Sequence, residues 1–243
     1  MTHDYQDYWN DAANEKNKPY AVQSVDDPRL LRWLREETNL ERGFADAVDF
    51  LCSNLNWSGG RVLDVGAGVC WTSAILSRLS QVTAVRAVDY SRHRIEEYAP
   101  RVIEQFGGSP DKIDAVVGDF SSIAESDRFD LIVFCQALYM FSDPRAMLQK
   151  CRTQLRAGGV VMITCEQIEP EYSLGQALYW KTILRTAVRG RADASGRHRM
   201  VASDYRQALE QTGFKYHRQD LSYAFIPSAI DCPGANHFGI KEE

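Results

Sequence analysis

From Thr38 onward the apolar positions fall into a readable rhythm. Leu40, Phe44, Ala47, Val48, Leu51 and Leu55 recur at three- and four-residue steps, and Asn56-Trp57-Ser58-Gly59-Gly60 closes the run. That spacing describes one apolar face of a helix. Short apolar runs rich in Val and Ile follow, at 61–65, 82–88, 113–117, 129–135 and 160–165. Amphipathic stretches separate them. A helix is predicted over 71–79, a second from Ser91 as its cap toward Phe106 with a kink at Pro100, and a third over 143–155 before Gly158-Gly159. Apolar strands separated by such helices predict a parallel sheet covered on both faces.

The rhythm breaks after Glu166. Residues 167–203 read as an insertion, with an apolar–aromatic patch around Trp180 and then an Arg-rich arm. Ser203-Asp204 opens a helix to Gln211 that ends at Gly213. The segments 215–221 and 223–227 predict a closing antiparallel strand pair, and 228–243 an irregular tail. Residues 1–37 are polar and aromatic, with Tyr5, Tyr8, Trp9, Tyr20 and Trp33 among charges. Such a stretch cannot nucleate a core alone but can lie across one. The expected organisation is one domain over 1–243: a cap (1–37), a core (38–166), a lid-like insertion (167–203) and a closing segment (204–243).

Composition narrows the classes. The chain has 243 residues, 44% hydrophobic and 25% charged, as in ordinary globular domains. No apolar run approaches the length of a membrane span, and the first residues lack the basic and apolar parts of a signal peptide. Six cysteines are scattered without a CxxC, which points to buried thiols, a reduced cytoplasmic setting and no structural metal. A net charge of −5 argues against a nucleic-acid partner.

The sharpest chemistry sits in Val62-Leu63-Asp64-Val65-Gly66-Ala67-Gly68-Val69-Cys70-Trp71, a strand running through a glycine turn into a helix. The two glycines let a ligand approach the main chain with no Cβ in the way. Asp89, closing the second strand, offers a carboxylate that can accept both hydroxyls of a ribose. Asp119 and Phe120, closing the third, suit an adenine amine and ring. The dinucleotide fingerprint wants a third glycine where Trp71 stands, and Asp64 would repel a pyrophosphate but welcome an ammonium. A cofactor with adenine, ribose and a cationic amino-acid end fits better than NAD.

On these residues the chain resembles the class I S-adenosylmethionine-dependent methyltransferases of small-molecule type. The resemblance runs through Val62–Gly68, Ala87-Val88-Asp89-Tyr90-Ser91, Val117-Gly118-Asp119-Phe120, Phe129–Gln136 and Leu155-Arg156-Ala157-Gly158-Gly159. It implies a Rossmann-like fold, a doubly wound and mostly parallel seven-stranded sheet with an N-terminal cap and an insertion after the fifth strand. It implies S-adenosyl-L-methionine as cofactor, with Asp64, Gly66 and Gly68 at the methionine end and Asp89 at the ribose. Tyr90, Asp119 and Phe120 would lie around the adenine, and Cys135 and Gln136 beneath the sulfonium. Two departures stand out. Cys70 replaces a family glycine, and Ala137-Leu138-Tyr139-Met140-Phe141 supplies no His after the fourth strand.

The expected reaction is methyl transfer to an oxygen or nitrogen of a small molecule. Tyr139, Glu166, His198 and His237 are the candidates for catalysis, and Tyr139, Glu166, Arg197 and Arg199 for contact with the acceptor. Between Lys181 and Arg199 six basic residues face one acid, which suggests an anionic or carrier-linked acceptor. The competing readings are a non-catalytic cofactor-binding partner subunit and a protein or RNA methyltransferase. A homodimer through Trp180 and its neighbours competes with the lid.

Overall fold

A computed structural model describes residues 16–124, 126–166, 168–169, 200–226 and 233–242. Seven strands form one sheet: β1 (Gly60–Val65), β2 (Val82–Asp89), β3 (Ile113–Val117), β4 (Phe129–Cys135), β5 (Leu155–Thr164), and two further strands over Lys215–Asp220 and Ala235–Ile240. A separate parallel pair, β6 (Ile168–Glu169) and β7 (Met200–Val201), makes those last two β8 and β9. The spatial order is β3-β2-β1-β4-β5-β9-β8. The first five strands are parallel, and β9 runs antiparallel to both β5 and β8. This is the doubly wound, mostly parallel seven-stranded sheet that the resemblance implied, with the parallel core that the alternation of apolar runs predicted.

Side chains alternate across the pleat, so each central strand feeds two cores. Val62, Val85, Leu131, Val133 and Met162 face one layer, shared with Leu40, Phe44, Ala47 and Leu51 of helix α1 (Leu40–Ser53). Ala74 and Leu76 of α2 (Trp71–Ser77) join that layer, as do Val102 and Ile103 of α3 (Ala99–Gln105). Leu63, Val65, Ile132, Phe134 and Ile163 face the other, against α4 (Pro144–Gln154) and α5 (Ala202–Gln211). Asp143 caps α4 by accepting the Ala146 N–H at 2.9 Å, with Pro144 at the first helical position.

Three expectations need correction. The partner of β8 is β9, not 223–227, so the tail read as irregular supplies a central strand. Two of its residues, Asn236 and His237, are polar by type yet buried. Thr164 Oγ1 donates to Asn236 Oδ1 at 2.6 Å, and His237 Nδ1 lies 2.8 Å from the Tyr216 hydroxyl. A Cβ at Gly239 would come within 2.7 Å of Leu209, so only glycine fits there. Tyr223–Ile226 instead crosses the start of α1, where Asn39 N–H donates to the Phe225 carbonyl at 2.8 Å.

The second correction concerns Ser91, which caps nothing. Its hydroxyl is buried without a partner, and the helix begins in π register over His93–Tyr98 before becoming α3 next to Pro100. The third is that β5 begins at Leu155 and runs through the glycine pair, with a register shift where Phe129 pairs Leu155 and Leu131 pairs Val160.

Residues 16–37 pack on the first layer. Ala21, Val22, Leu30 and Leu34 are fully buried, and Arg29–Arg32 is a helical turn continued in π register over Trp33–Glu37. Among the described residues no helix is long and apolar enough to cross a membrane, and no cluster of His, Cys, Asp and Glu could hold a metal.

Candidate functional site

The sheet order reverses between β1 and β4, and in open α/β sheets ligands bind beyond the carboxyl ends of the strands at such a point. A cavity of ≈ 400 Å³ lies there. Its floor is the turn after β1. Gly66 has φ +68 and Gly68 φ +56, so both occupy the left-handed region that glycine alone enters without cost. A Cβ on Gly66 would strike the Ala137 Cβ at 2.8 Å. One on Gly68 would meet nothing nearer than Arg94 Nη1 at 3.9 Å and would occupy cavity space.

Cys70 also takes a left-handed conformation, φ +62, immediately before α2, where the family resemblance implies a glycine. Burial repays part of that strain, since its side chain is fully enclosed. Trp71 then lines the cavity while packing edge-on against Phe44, ring centroids 5.3 Å apart. Gln136 and Cys165, just past β4 and β5, are left-handed too (φ +53 and +58). The chain thus takes the same sparsely populated conformation just past β4 and β5 and before α2, and of these three residues Gln136 lines the cavity; such strain collects at functional sites.

Asp89 lines the cavity at the end of β2. One of its oxygens accepts the Gly68 N–H and the other the Ser91 N–H, each at 2.9 Å. A carboxylate oxygen has two lone-pair sites, so each can still accept a further donor. Asp64 lies beneath the turn, 1% exposed, and is not part of the cavity lining. Its Oδ2 accepts the Thr72 and Ser73 hydroxyls, both at 2.6 Å, whereas Oδ1 has no partner. Burial pushes its pKa up to about 6, against the two hydroxyl bonds that lower it.

Tyr90, Cys135, Gln136 and Tyr139 line the same cavity, so the structure gathers seven of the sequence-derived candidates there with Gly66, Gly68 and Asp89. The Cys135 thiol is held well above its usual range by burial, with the Cys165 thiol beside it. Asp119 and Phe120 are not brought to this lining. Asp119 accepts the Ser121 N–H at 2.7 Å, and Phe120 is buried in the second layer, edge-on to Phe134 at 6.1 Å. Glu166 is 1% exposed and its carboxylate accepts the backbone N–H groups of Ala137, Leu138 and Tyr139. His237 is fully buried, stacked on Tyr205 at 4.8 Å, with its pKa lowered to about 3 by burial. Neither Glu166 nor His237 lines the cavity. His198, Arg197 and Arg199 lie outside the described residues.

Several lining residues carried no signal in the motifs. Lys18, Tyr20, Leu30 and Trp33 come from the segment before α1, Arg94 from the π-register helix after β2, and Met140, Phe141 and Ile226 from the connections after β4 and β8. The Arg94 guanidinium lies 4.5 Å over the Tyr20 ring, and its Nη2 donates to the Tyr20 hydroxyl at 2.8 Å. The aromatic richness of 1–37 was the one clue to this wall.

A family model described as a methyltransferase domain matches residues 31–219. The chain is similar to a ubiquinone biosynthesis O-methyltransferase of Psychrobacter cryohalolentis, 22% identical over 187 residues, which are 77% of this chain and 69% of that protein. Two solved structures share the fold across nearly the whole chain. One is an S-adenosylmethionine-dependent methyltransferase of Leishmania major (TM-score 0.63, 16% identity, 99% of this chain and 87% of that one). The other is phosphoethanolamine N-methyltransferase 2 of Haemonchus contortus in complex with S-adenosyl-L-methionine (TM-score 0.66, 12% identity, 98% of this chain and 60% of that one).

Proposed function

The chain belongs to the methyltransferase domain family, and we propose that it uses S-adenosyl-L-methionine to methylate a hydroxyl oxygen on a small aromatic acceptor. The observation that carries this reading is Asp89, a cavity carboxylate with spare acceptor capacity, beside two positions that lack a Cβ at the sheet's switch point. The residues fit the cofactor. Asp89 would take the ribose hydroxyls and the open face of Gly68 would admit the ligand against the main chain. Asp64, buried beneath the turn and outside the lining, would brace that turn through the Thr72 and Ser73 hydroxyls rather than meet the ligand. Tyr90, next to Asp89 in the chain, lines the same cavity.

The bound cofactor supplies a methyl group already activated as an electrophile by its sulfonium. Its transfer would exchange the methyl–sulfur bond for a methyl–oxygen bond on an acceptor that has already released its proton to bulk solvent before the cavity closes over it. The chain's part is to align the acceptor and keep water out. Trp33, Leu30, Phe141 and Ile226 supply apolar walls for that task, and Tyr139 a polar edge. No His is among the cavity's described lining residues. An acceptor whose hydroxyl ionises readily therefore suits the site better than an aliphatic alcohol. The choice of oxygen draws on the Psychrobacter relative, whose name gives it as an O-methyltransferase.

Calorimetry with S-adenosylhomocysteine and NAD, followed by turnover of labelled S-adenosylmethionine with catechol, tests the reading. Binding of the first nucleotide alone, with methylation of catechol, is the expected result. NAD affinity without a response to S-adenosylhomocysteine would falsify it.

A further inference from the structure

Glu166 is a buried carboxylate for which methyl transfer has no direct use, and its surroundings are unusual. Just past β4, Gln136 turns left-handed and the chain enters a short 3-10 turn over Leu138–Met140. The first N–H groups of such a turn have no partner within it. Here three in succession converge on one side chain. Ala137 and Leu138 donate to Glu166 Oε1 at 2.8 and 2.9 Å, and Tyr139 donates to Oε2 at 3.2 Å. The Tyr205 hydroxyl of α5 donates to the same Oε2 at 3.2 Å. Successive backbone N–H groups of this kind form a concave anion-holding nest, and the anion is part of the chain itself.

The other side of that loop is the cavity wall. Gln136, Ala137, Tyr139, Met140 and Phe141 all line it, while Glu166 stays behind them. The loop also abuts the glycine turn, where a Cβ on Gly66 would come within 2.8 Å of the Ala137 Cβ. A small displacement of the loop therefore changes the gap between the cofactor's turn and the opposite wall.

We infer that Glu166 is a positioning residue: its carboxylate gathers three backbone N–H groups and so sets the acceptor-side wall without touching the acceptor. The inference rests on reading the cavity as a methyl-transfer site. Hydrogen bonds to a charged group are stronger than neutral ones, which is why a carboxylate holds this loop more firmly than an amide. Burial pushes the Glu166 pKa up to about 7 against the backbone bonds that lower it. Among the described residues the ionisable groups near it include the Tyr205 phenol, Tyr139 and the Cys135 and Cys165 thiols, and burial keeps the Tyr205 and Cys135 protons in place well above neutral pH.

The test compares ¹⁵N-labelled wild type with E166Q. In the wild type the amide protons of Ala137, Leu138 and Tyr139 titrate together near neutrality, and E166Q abolishes that titration. Exchange of the three amides accelerates roughly tenfold in E166Q, the KM for catechol rises about fivefold, and S-adenosylhomocysteine affinity stays within about twofold. Changed amides with an unchanged catechol KM reduce Glu166 to a fold residue and overturn the inference. If E166Q does not fold, the wild-type titration decides: three amides moving together support it, and three that do not move overturn it. A wild type that leaves catechol unmethylated counts against the proposed function. The amide titration and exchange then still decide whether Glu166 holds the loop.

Discussion

Gly68 separates the demands of the fold from those of the ligand. Its φ of +56 costs an alanine about 1–2 kcal/mol, but the added methyl meets no backbone and only opens into the cavity. Gly68→Ala is therefore expected to lower the melting temperature by only a few degrees. S-adenosylhomocysteine affinity should fall about tenfold or more, since the methyl takes up ligand space. Calorimetry on a variant with a cooperative melt checks this, and full affinity would mean that the ligand does not lie against the turn. Gly66→Ala is the contrasting case, because its methyl strikes Ala137 and the damage should appear in the melt itself. Asp89→Asn keeps the shape of the side chain and removes its charge. It is expected to weaken S-adenosylhomocysteine binding by about 1.5–3 kcal/mol, the range for a hydrogen bond to a charged group. Unchanged affinity would place the ribose elsewhere.

Glu166 joins the end of β5 to the loop after β4 and to α5, so its protonation is felt between elements. Its folded pKa of about 7 stands above the ordinary 4.5 because burial penalises the charge. The raised value means that this contribution to stability is fully present below about 4.5 and is lost as pH rises through 7. Asp64 behaves alike in a lower window, raised from 3.8 to about 6. His237 acts in the opposite sense: its pKa, lowered from 6.5 to about 3, gives stability above 6.5 that is lost as pH falls. The contribution of Glu166 is therefore read from a difference. Melting temperatures of E166Q minus wild type should climb between pH 5 and 8 and level off beyond, and a flat difference would refute the assignment.

The same elements show how much the sequence could tell. β3 and β4 lie at the predicted residues because their apolar runs are short and bounded. β9 was hidden because Asn236 meets Thr164 and Gln219 inside the sheet and His237 Nδ1 meets the Tyr216 hydroxyl, while His237 Nε2 is buried without a partner. Those partners are remote in the chain. Gly66, Gly68 and Asp89 were legible because backbone geometry and a lone carboxylate restrict the residue type locally. Phe120 was not, since a phenylalanine closing a strand reads the same whether it meets a ligand or, as here, the Phe134 ring.

Across the whole molecule, the segment before α1 is tied to the half of the sheet that bears the cavity through one helix. The stretch from His93 to Gln105 follows Asp89 directly, and it holds residues 20–27 by four hydrogen bonds. Arg94 donates to the Tyr20 hydroxyl, Arg101 to the Val22 carbonyl at 3.1 Å, and Gln105 to the carbonyls of Val25 and Asp27, both at 2.8 Å. Beneath these bonds Ala21, Val22, Leu30 and Leu34 are fully buried, while Tyr20, Leu30 and Trp33 line the cavity. The segment is thus a piece of the core and a wall of the site at once. Burying each leucine is worth about 1.5–3 kcal/mol, so Leu30 and Leu34 together represent a sizeable share of the ~5–15 kcal/mol that holds a domain folded. A chain beginning at residue 38 is expected to melt about 10 °C or more below the full chain, at about 2–4 °C per kcal/mol. S-adenosylhomocysteine should stabilise it little, because one side of the cavity is gone. The measurement is a thermal melt of both chains with and without S-adenosylhomocysteine. A shortened chain that melts within a few degrees of the full one, and gains as much from the ligand, would show that residues 16–37 only rest on a site that is complete without them.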